Sequence, residues 1–244
     1  MLFAPRYSKC VVVYIDDIVI YSKTREEHLK DFEEVFMPLH KHRLLTKGSK
    51  CDFLKDRLEF AGHAISTKGV EVDPRKIETV QAWRLPKILH ELQSFSGFVN
   101  NFRKFIPNMG GPTSQLTDLL RKGTKYRCGE KEQVAFSALK TFMFLAPVLC
   151  IADPYCPFEV ITHANDIAIG AELLQDFGEG LQSIAYELRK LHPPEQNYPI
   201  HDKEMLAIVQ PFKVWWCYLK GVDVTVRTGH RNLQYIHVQL LLNP

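Results

Sequence analysis

The sequence predicts a mixed fold of the α+β / α/β type, assembled from more than one piece. Three observations carry this. β-branched runs open the chain, helical periodicity fills its middle, and short strands flank one long helix toward its end. The composition agrees: 244 residues, 45% hydrophobic and 24% charged, suit a globular protein and exclude a disordered or collagen-like one. At roughly 150 residues per domain, the length allows one large domain or two modest ones. No run approaches the ~18 apolar residues of a membrane span. Residues 1–6 are too short and too soon broken by Pro5 for a signal peptide. Lys+Arg 31 against Asp+Glu 28 gives a net charge of +3, too weak by itself to imply nucleic acid.

Taken in order, the first element reads as a hairpin. Cys10-Val11-Val12-Val13-Tyr14-Ile15 and Ile18-Val19-Ile20-Tyr21 are apolar runs separated by Asp16-Asp17, which suits a tight turn. A helix follows, with Thr24 as its cap and Glu27 completing a capping box. Leu29, Phe32, Val35, Phe36 and Leu39 form its apolar face, and Pro38 is expected to shorten or kink its end. Residues 58–66 alternate like a strand and end in a turn at Lys68-Gly69. Asp73-Pro74 then opens a helix whose stripe is Ile77, Val80 and Trp83. Further helices are expected at 90–106, 114–121 and 130–145. From Cys150 onward, strands are expected at 158–162, 168–175, 182–186 and 222–227, with a helix over 201–219. Strand, strand, strand, helix, strand makes a mixed α/β unit, and Ala146-Pro147 is a plausible boundary before it.

Six cysteines stand at 10, 51, 128, 150, 156 and 217, with no Cys-x-x-Cys pair and no zinc-finger spacing. A long chain of ordinary composition favours reduced thiols over a disulfide framework or a zinc site, and hence an intracellular, unsecreted protein.

The first chemical signal is Asp16-Asp17 between apolar strands. Adjacent carboxylates repel, and a bound divalent cation would remove the conflict; oxygen-rich sites of this kind suit Mg²⁺. An exposed polar turn that happens to carry two acids is the alternative. The surrounding residues bear on that choice. Tyr14-Ile15-Asp16-Asp17-Ile18-Val19-Ile20-Tyr21-Ser22 resembles the Tyr-x-Asp-Asp signature of reverse transcriptases, specifically those of gypsy-like long-terminal-repeat retrotransposons. Leu58-Glu59-Phe60-Ala61-Gly62-His63 is similar to that family's primer-grip strand pair. Val72-Asp73-Pro74-Arg75-Lys76-Ile77 with Trp83 and Pro86, Glu91-Leu92-Gln93-Ser94-Phe95-Ser96-Gly97, and Asn101-Phe102-Arg103-Lys104-Phe105-Ile106 are similar to its thumb. Ala146-Pro147-Val148-Leu149 is similar to its link to a ribonuclease H domain.

The resemblance runs on through the C-terminal half. Phe158-Glu159-Val160-Ile161-Thr162-His163-Ala164-Asn165-Asp166-Ile167-Ala168-Ile169-Gly170-Ala171 resembles the first ribonuclease H hairpin. His201-Asp202-Lys203-Glu204-Met205-Leu206-Ala207-Ile208-Val209 resembles the catalytic helix, and Val226-Arg227-Thr228-Gly229-His230 the strand after it. The resemblance therefore implies the C-terminal part of a reverse-transcriptase palm (1–68), a helical thumb or connection (69–145) and a ribonuclease H-like mixed-sheet domain (146–244). It implies RNA-directed DNA polymerase and hybrid-cleaving endonuclease activities, with Mg²⁺ as cofactor and an RNA–DNA hybrid or primer–template duplex as partner. Asp16 and Asp17 would be metal ligands of the polymerase half and Glu204 of the ribonuclease half. Tyr14, Gly62, His63, Arg103 and Lys104 would contact nucleic acid.

The departures matter as much. No acid precedes Asp16, whereas the family uses a third aspartate upstream. Of four ribonuclease H carboxylates only Glu204 remains: His163 and Gly229 occupy two of the positions, and the fourth would lie past Pro244. The expectation is a window cut from a pol polyprotein, catalytically lost or severely impaired in both halves. Its alternatives are a non-catalytic nucleic-acid-binding module and a subunit completed in trans by other pol fragments. A transition metal on His163 and Glu204 is disfavoured by ligand count. Asp166, in the turn, and Asp202, about 200° round the helix from Glu204, are poor substitutes. Pro211 inside a strong helix, Glu172 in a strand and Cys128 in place of an aromatic point toward relaxed selection. The helical middle carries Arg84, Lys87, Arg103, Lys104, Arg121, Lys122, Lys125 and Arg127 with Phe98, Phe102 and Phe105 among them. That pattern fits either phosphate contacts or a solvated face over an aromatic core.

Overall fold

The computed structural model describes residues 10–107, 109–121, 123–124, 126–229 and 233. The chain divides into two compact units, 1–67 and 68–244.

In the first unit, β1 (Val11–Tyr14) and β2 (Asp17–Ile20) form an antiparallel hairpin in the register Val11↔Ile20, Val13↔Ile18 and Tyr14↔Asp17. The turn is therefore Ile15-Asp16, one residue earlier than the sequence pattern suggested, and Asp17 opens the second strand. Register is the reason. Pairing Val13 with Ile18 lets Val13, Ile18 and Ile20 pack on the Cys10, Val11, Val35 and Leu39 cluster. The cost falls on Ile15, which takes a φ of 54° with its side chain 80% exposed. α1 (Arg25–Lys41) supplies Val35 and Leu39 from one face. Thr24 caps it, its hydroxyl accepting from the Glu27 amide at 3.2 Å. Pro38 sits in the last turns without ending the helix. Ser22, just past β2, donates to Asp31 of α1 at 2.6 Å and lies 3.3 Å from His28 Nδ1, tying hairpin to helix.

The alternating run over 58–66 divides in two. β3 (Arg57–Phe60) and β4 (His63–Ser66) pair antiparallel across Ala61-Gly62. Both turn residues have positive φ, 50° and 79°, as a tight primed hairpin turn demands, and glycine at the second position relieves half the strain.

The second unit begins with β5 (Gly69–Val72), which bridges Leu149: Val70 and Leu149 exchange backbone hydrogen bonds of 2.7 and 2.9 Å. Gly69 has no freedom here, because a Cβ would collide with the Leu149 carbonyl and its φ is +131°. α2 (Pro74–Ala82) is capped by Asp73, which accepts from the Arg75 amide at 2.9 Å, with Pro74 at the first position where its missing donor costs nothing. α3 (Leu89–Asn100), α4 (Gly110–Asp118) and α5 (Glu130–Phe144) complete a helical cluster. Its core holds Val80, Leu92, Phe95, Val99, Phe105 and Phe136, with Trp83 edge-on to Phe95 at 5.7 Å. The helix expected over 90–106 stops at Asn100, and Arg103–Phe105 form a 3₁₀ turn that drops Phe105 and Ile106 into that core.

The mixed sheet follows: β6 (Phe158–Ala164), β7 (Ala168–Asp176), β8 (Leu181–Lys190) and β9 (Val224–Thr228), in spatial order β8-β7-β6-β9. β6 is antiparallel to β7 and parallel to β9. The parallel pair needs a crossover, and α7 (Ile200–Val214) with α8 (Trp216–Leu219) provides it. Phe158, Val160, Ala171 and Leu173 face Trp215 and Leu219, while Ala164 and Ile169 face Leu206 and Ala207. Pro211 is accommodated within α7; the helix yields only at Trp215, whose amide reaches the Pro211 carbonyl at 2.7 Å. Gln175, 1% exposed, pins the loop before β6 by accepting from the Asp153 amide and donating to the Asp153 and Cys156 carbonyls. Glu172, unexpected in a strand, accepts from Ser183, whose hydroxyl in turn accepts from Tyr186 at 3.0 Å. All six cysteines are free thiols.

Ile15→Gly is expected to stabilise the first unit by about 1 kcal/mol, since a β-branched residue at positive φ is strained and little buried area is lost with it. A higher urea midpoint checks this; an unchanged or lower one refutes it.

Candidate functional site

The first candidate group lies on the β1–β2 hairpin. Asp16 occupies the turn and Asp17 the first position of β2, and both are exposed. Tyr14, 54% exposed, closes the hairpin opposite Asp17 and meets Phe60 of β3 edge-on, ring centroids 6.2 Å apart. Phe60 pairs in register with His63, and Gly62 lies in the turn between them. The structure thus brings the two acids, Tyr14 and the Gly62-His63 hairpin into one neighbourhood of the first unit. Asp16 and Asp17 are hard oxygen donors of the kind Mg²⁺ takes, but two ligands do not complete a site. Among the described residues no group of three His, Cys, Asp or Glu side chains could hold a metal ion.

The second group surrounds Glu204. The periodicity of α7 places Lys203, Glu204, Ala207 and Pro211 in the buried stripe, so the carboxylate is 8% exposed against the sheet. Its hydrogen-bond partner is the Thr228 hydroxyl at 3.2 Å. Thr228 pairs in parallel register with Thr162, which is wholly buried, its hydroxyl without a hydrogen-bond partner among the described residues. One threonine therefore touches the acid and a second pairs with the first, and neither was singled out by sequence. Their alternation with Val160 and Val226 was the available signal. His163, one residue on, is exposed and pairs with Gly170; strand alternation puts it on the face opposite Thr162. No hydrogen bond or ion pair joins it to Glu204 among the described residues. Gly229 is exposed with open space around it. Asp202 is exposed and sits 3.5 Å from His201. Asp166, 93% exposed, pairs with Lys203 at 2.9 Å, which fastens the β6–β7 turn to the start of α7. One buried carboxylate held by a neutral hydroxyl does not fit a pair of Mg²⁺ ions, which need several carboxylates converging on them.

The third group is basic. Arg84, Lys87, Lys104, Arg121 and Arg127 are exposed, whereas Lys122 and Lys125 lie outside the described residues. Arg103 donates through Nη2 to both oxygens of Glu187, at 3.1 and 2.8 Å. Lys104 Nζ lies 5.0 Å from the Phe105 ring centroid, and desolvation lowers its pKa below the usual lysine value. Phe102 and Phe105 are buried core residues and Phe98 packs beside them, so the aromatics between these cations serve the helical core.

Similarity to known proteins first defines a class. Residues 2–65 match the family described as reverse transcriptase (RNA-dependent DNA polymerase), and 153–243 match the RNase H-like domain found in reverse transcriptase. Structures of the foamy viral protease-reverse transcriptase share the fold. The dRH form in complex with double-stranded DNA gives a TM-score of 0.87 at 22% identity, covering 98% of this chain and 42% of that one. The form with an RNA/DNA hybrid gives 0.82 at 21%, covering 100% and 33%. The fold is accordingly a reverse-transcriptase palm and thumb portion followed by an RNase H-like domain.

Particular relatives then narrow the class. The Transposon Tf2-3 polyprotein of Schizosaccharomyces pombe is 35% identical over 226 residues, 91% of this chain and 17% of the relative. The Retrovirus-related Pol polyprotein from transposon 297 of Drosophila melanogaster is 32% identical over 237 residues, 97% and 22%. The chain carries reverse-transcriptase and RNase H-like sequence homologous to these polyproteins and spans about a fifth of their length.

Thr228→Val is expected to cost about 1–3 kcal/mol, because it strips the buried Glu204 carboxylate of its donor. Adding Glu204→Gln to that variant should recover part of the loss. Chemical denaturation of the two variants checks the order.

Proposed function

We propose that this chain is a segment of the Pol polyprotein of a gypsy-like long-terminal-repeat retrotransposon, with palm, thumb and ribonuclease H-like parts at 1–68, 69–145 and 146–244. Its RNase H-like part keeps the fold but has lost phosphodiester cleavage. The observation that carries this is the environment of Glu204: a buried acid held by Thr228, with His163 and Gly229 where the family places two of its other carboxylates. Cleavage needs two cations beside the scissile phosphate, and a single carboxylate cannot hold them there.

In the polymerase half, Asp16 and Asp17 would supply Mg²⁺ ligands at an exposed tip, with Tyr14 beside the primer terminus. A third carboxylate would have to come from elsewhere in the polyprotein or from a partner subunit in trans. The exposed Arg84, Lys87, Lys104, Arg121 and Arg127 support binding of a primer–template duplex or RNA–DNA hybrid by phosphate neutralisation, a weak and salt-dependent attraction. The duplexes named for the foamy viral structures favour that partner. Among the described residues no helix is long and apolar enough to cross a membrane, and an intracellular setting is part of the proposal.

A labelled RNA–DNA hybrid incubated with the purified chain and Mg²⁺ should show no cleavage above a Glu204→Gln control; cleavage above it overturns the reading.

A further inference from the structure

The helical cluster and the mixed sheet meet along β8, at the sheet's edge, and the contact is built from charge as well as packing. Arg103, in the 3₁₀ turn beside that strand, grips both oxygens of Glu187, whose side chain is 6% exposed while that of Arg103 is 38% exposed. Burial pushes the Glu187 carboxyl above the usual glutamate value, and Arg103 with Arg189 pulls it back only in part. Arg189 is itself held by Glu195 at 2.9 Å, which leaves Arg103 as the direct partner of Glu187. Three residues further along β8, Lys190 reaches Asp118 of α4 at 2.9 Å, and Asp118 also holds Arg121 at 3.0 Å. Between the two pairs, Gly110 opens α4 so close to Leu188 that any Cβ would strike its methyl groups. Tyr186 packs on the helical core. At the far end, the Val70–Leu149 bridge ties the strand before α2 to the segment entering the sheet.

We infer that the helical cluster over 74–144 and the four-stranded sheet are one rigid body, keyed by the Arg103–Glu187 pair, rather than two domains joined by a flexible linker. Separating them would break this bidentate pair and expose the packed surfaces of Leu188 and Tyr186 to water. The exposed basic residues of the helical cluster then stand at a fixed distance from the Glu204 face of the sheet. The inference is independent of whether either half is catalytic.

Urea unfolding of the full chain, followed by pulsed hydrogen exchange on peptides from 89–118 and from 158–190, tests it. One shared midpoint is expected for the parent. Arg103→Ala should split the midpoints by about 1 M, the shift that loss of a buried pair's partner implies for typical urea slopes. The exchanged pair, Arg103→Glu with Glu187→Arg, should draw them together again. Arg103→Lys, which keeps the charge but not the fork, should fall between parent and Arg103→Ala. Two midpoints in the parent, or coincident midpoints in Arg103→Ala, would overturn the inference.

Discussion

The parallel pairing of β6 with β9 is the constraint on which the C-terminal half depends. Two parallel neighbours cannot be joined by a hairpin, so a helix must cross over, and it must bury the face it crosses. That places α7 against Phe158, Val160 and Ala171, and it fixes which side chains of α7 are sealed in. Glu204 is one of them. A buried carboxylate must find donors or cations; here it finds the hydroxyl of Thr228 at the end of β9. Thr162, paired with Thr228 on the neighbouring strand, is buried on the same face, while His163 lies on the other.

The hairpin of the first unit obeys a different constraint. Its register is set by Val11, Val13, Ile18 and Ile20 packing on α1, and the turn must absorb what is left. It does so with Ile15 at positive φ, and the two acids are thereby presented at an exposed tip. Local strain and the exposure of adjacent negative charges arise from one choice of register. Asn-Gly at the turn would relieve both.

Part of the charge in this molecule serves internal architecture. Lys203 is buried to fasten Asp166, Arg189 holds Glu195, and Arg103 holds Glu187. Each pairs residues between 6 and 84 positions apart, so the pattern of basic residues along the helical middle does not report which of them face solvent. Arg84, Lys87 and Arg127 do; Arg103 faces a carboxylate.

Sequence by itself determined the elements and their order. Thr24, Asp73 and Pro74 mark helix starts through local hydrogen-bonding rules, and period-2 and period-3.6 apolar patterns mark strands and helices. It also determined which of the positions expected to be catalytic hold carboxylates, because residue identity needs no coordinates. It missed the turn at Ala61-Gly62 inside an alternating run, the end of α3 at Asn100 and the exact place of the turn at Ile15-Asp16, since these follow from strand register and core packing. Only the tertiary structure decided that Thr228 reaches Glu204 of α7 with Thr162 paired beside it, that Arg103 is committed to Glu187 and that Lys203 is buried. The physical reason is common to all three: the environment of a polar group is set by segments remote in sequence, and no local pattern encodes which of them folding will bring near.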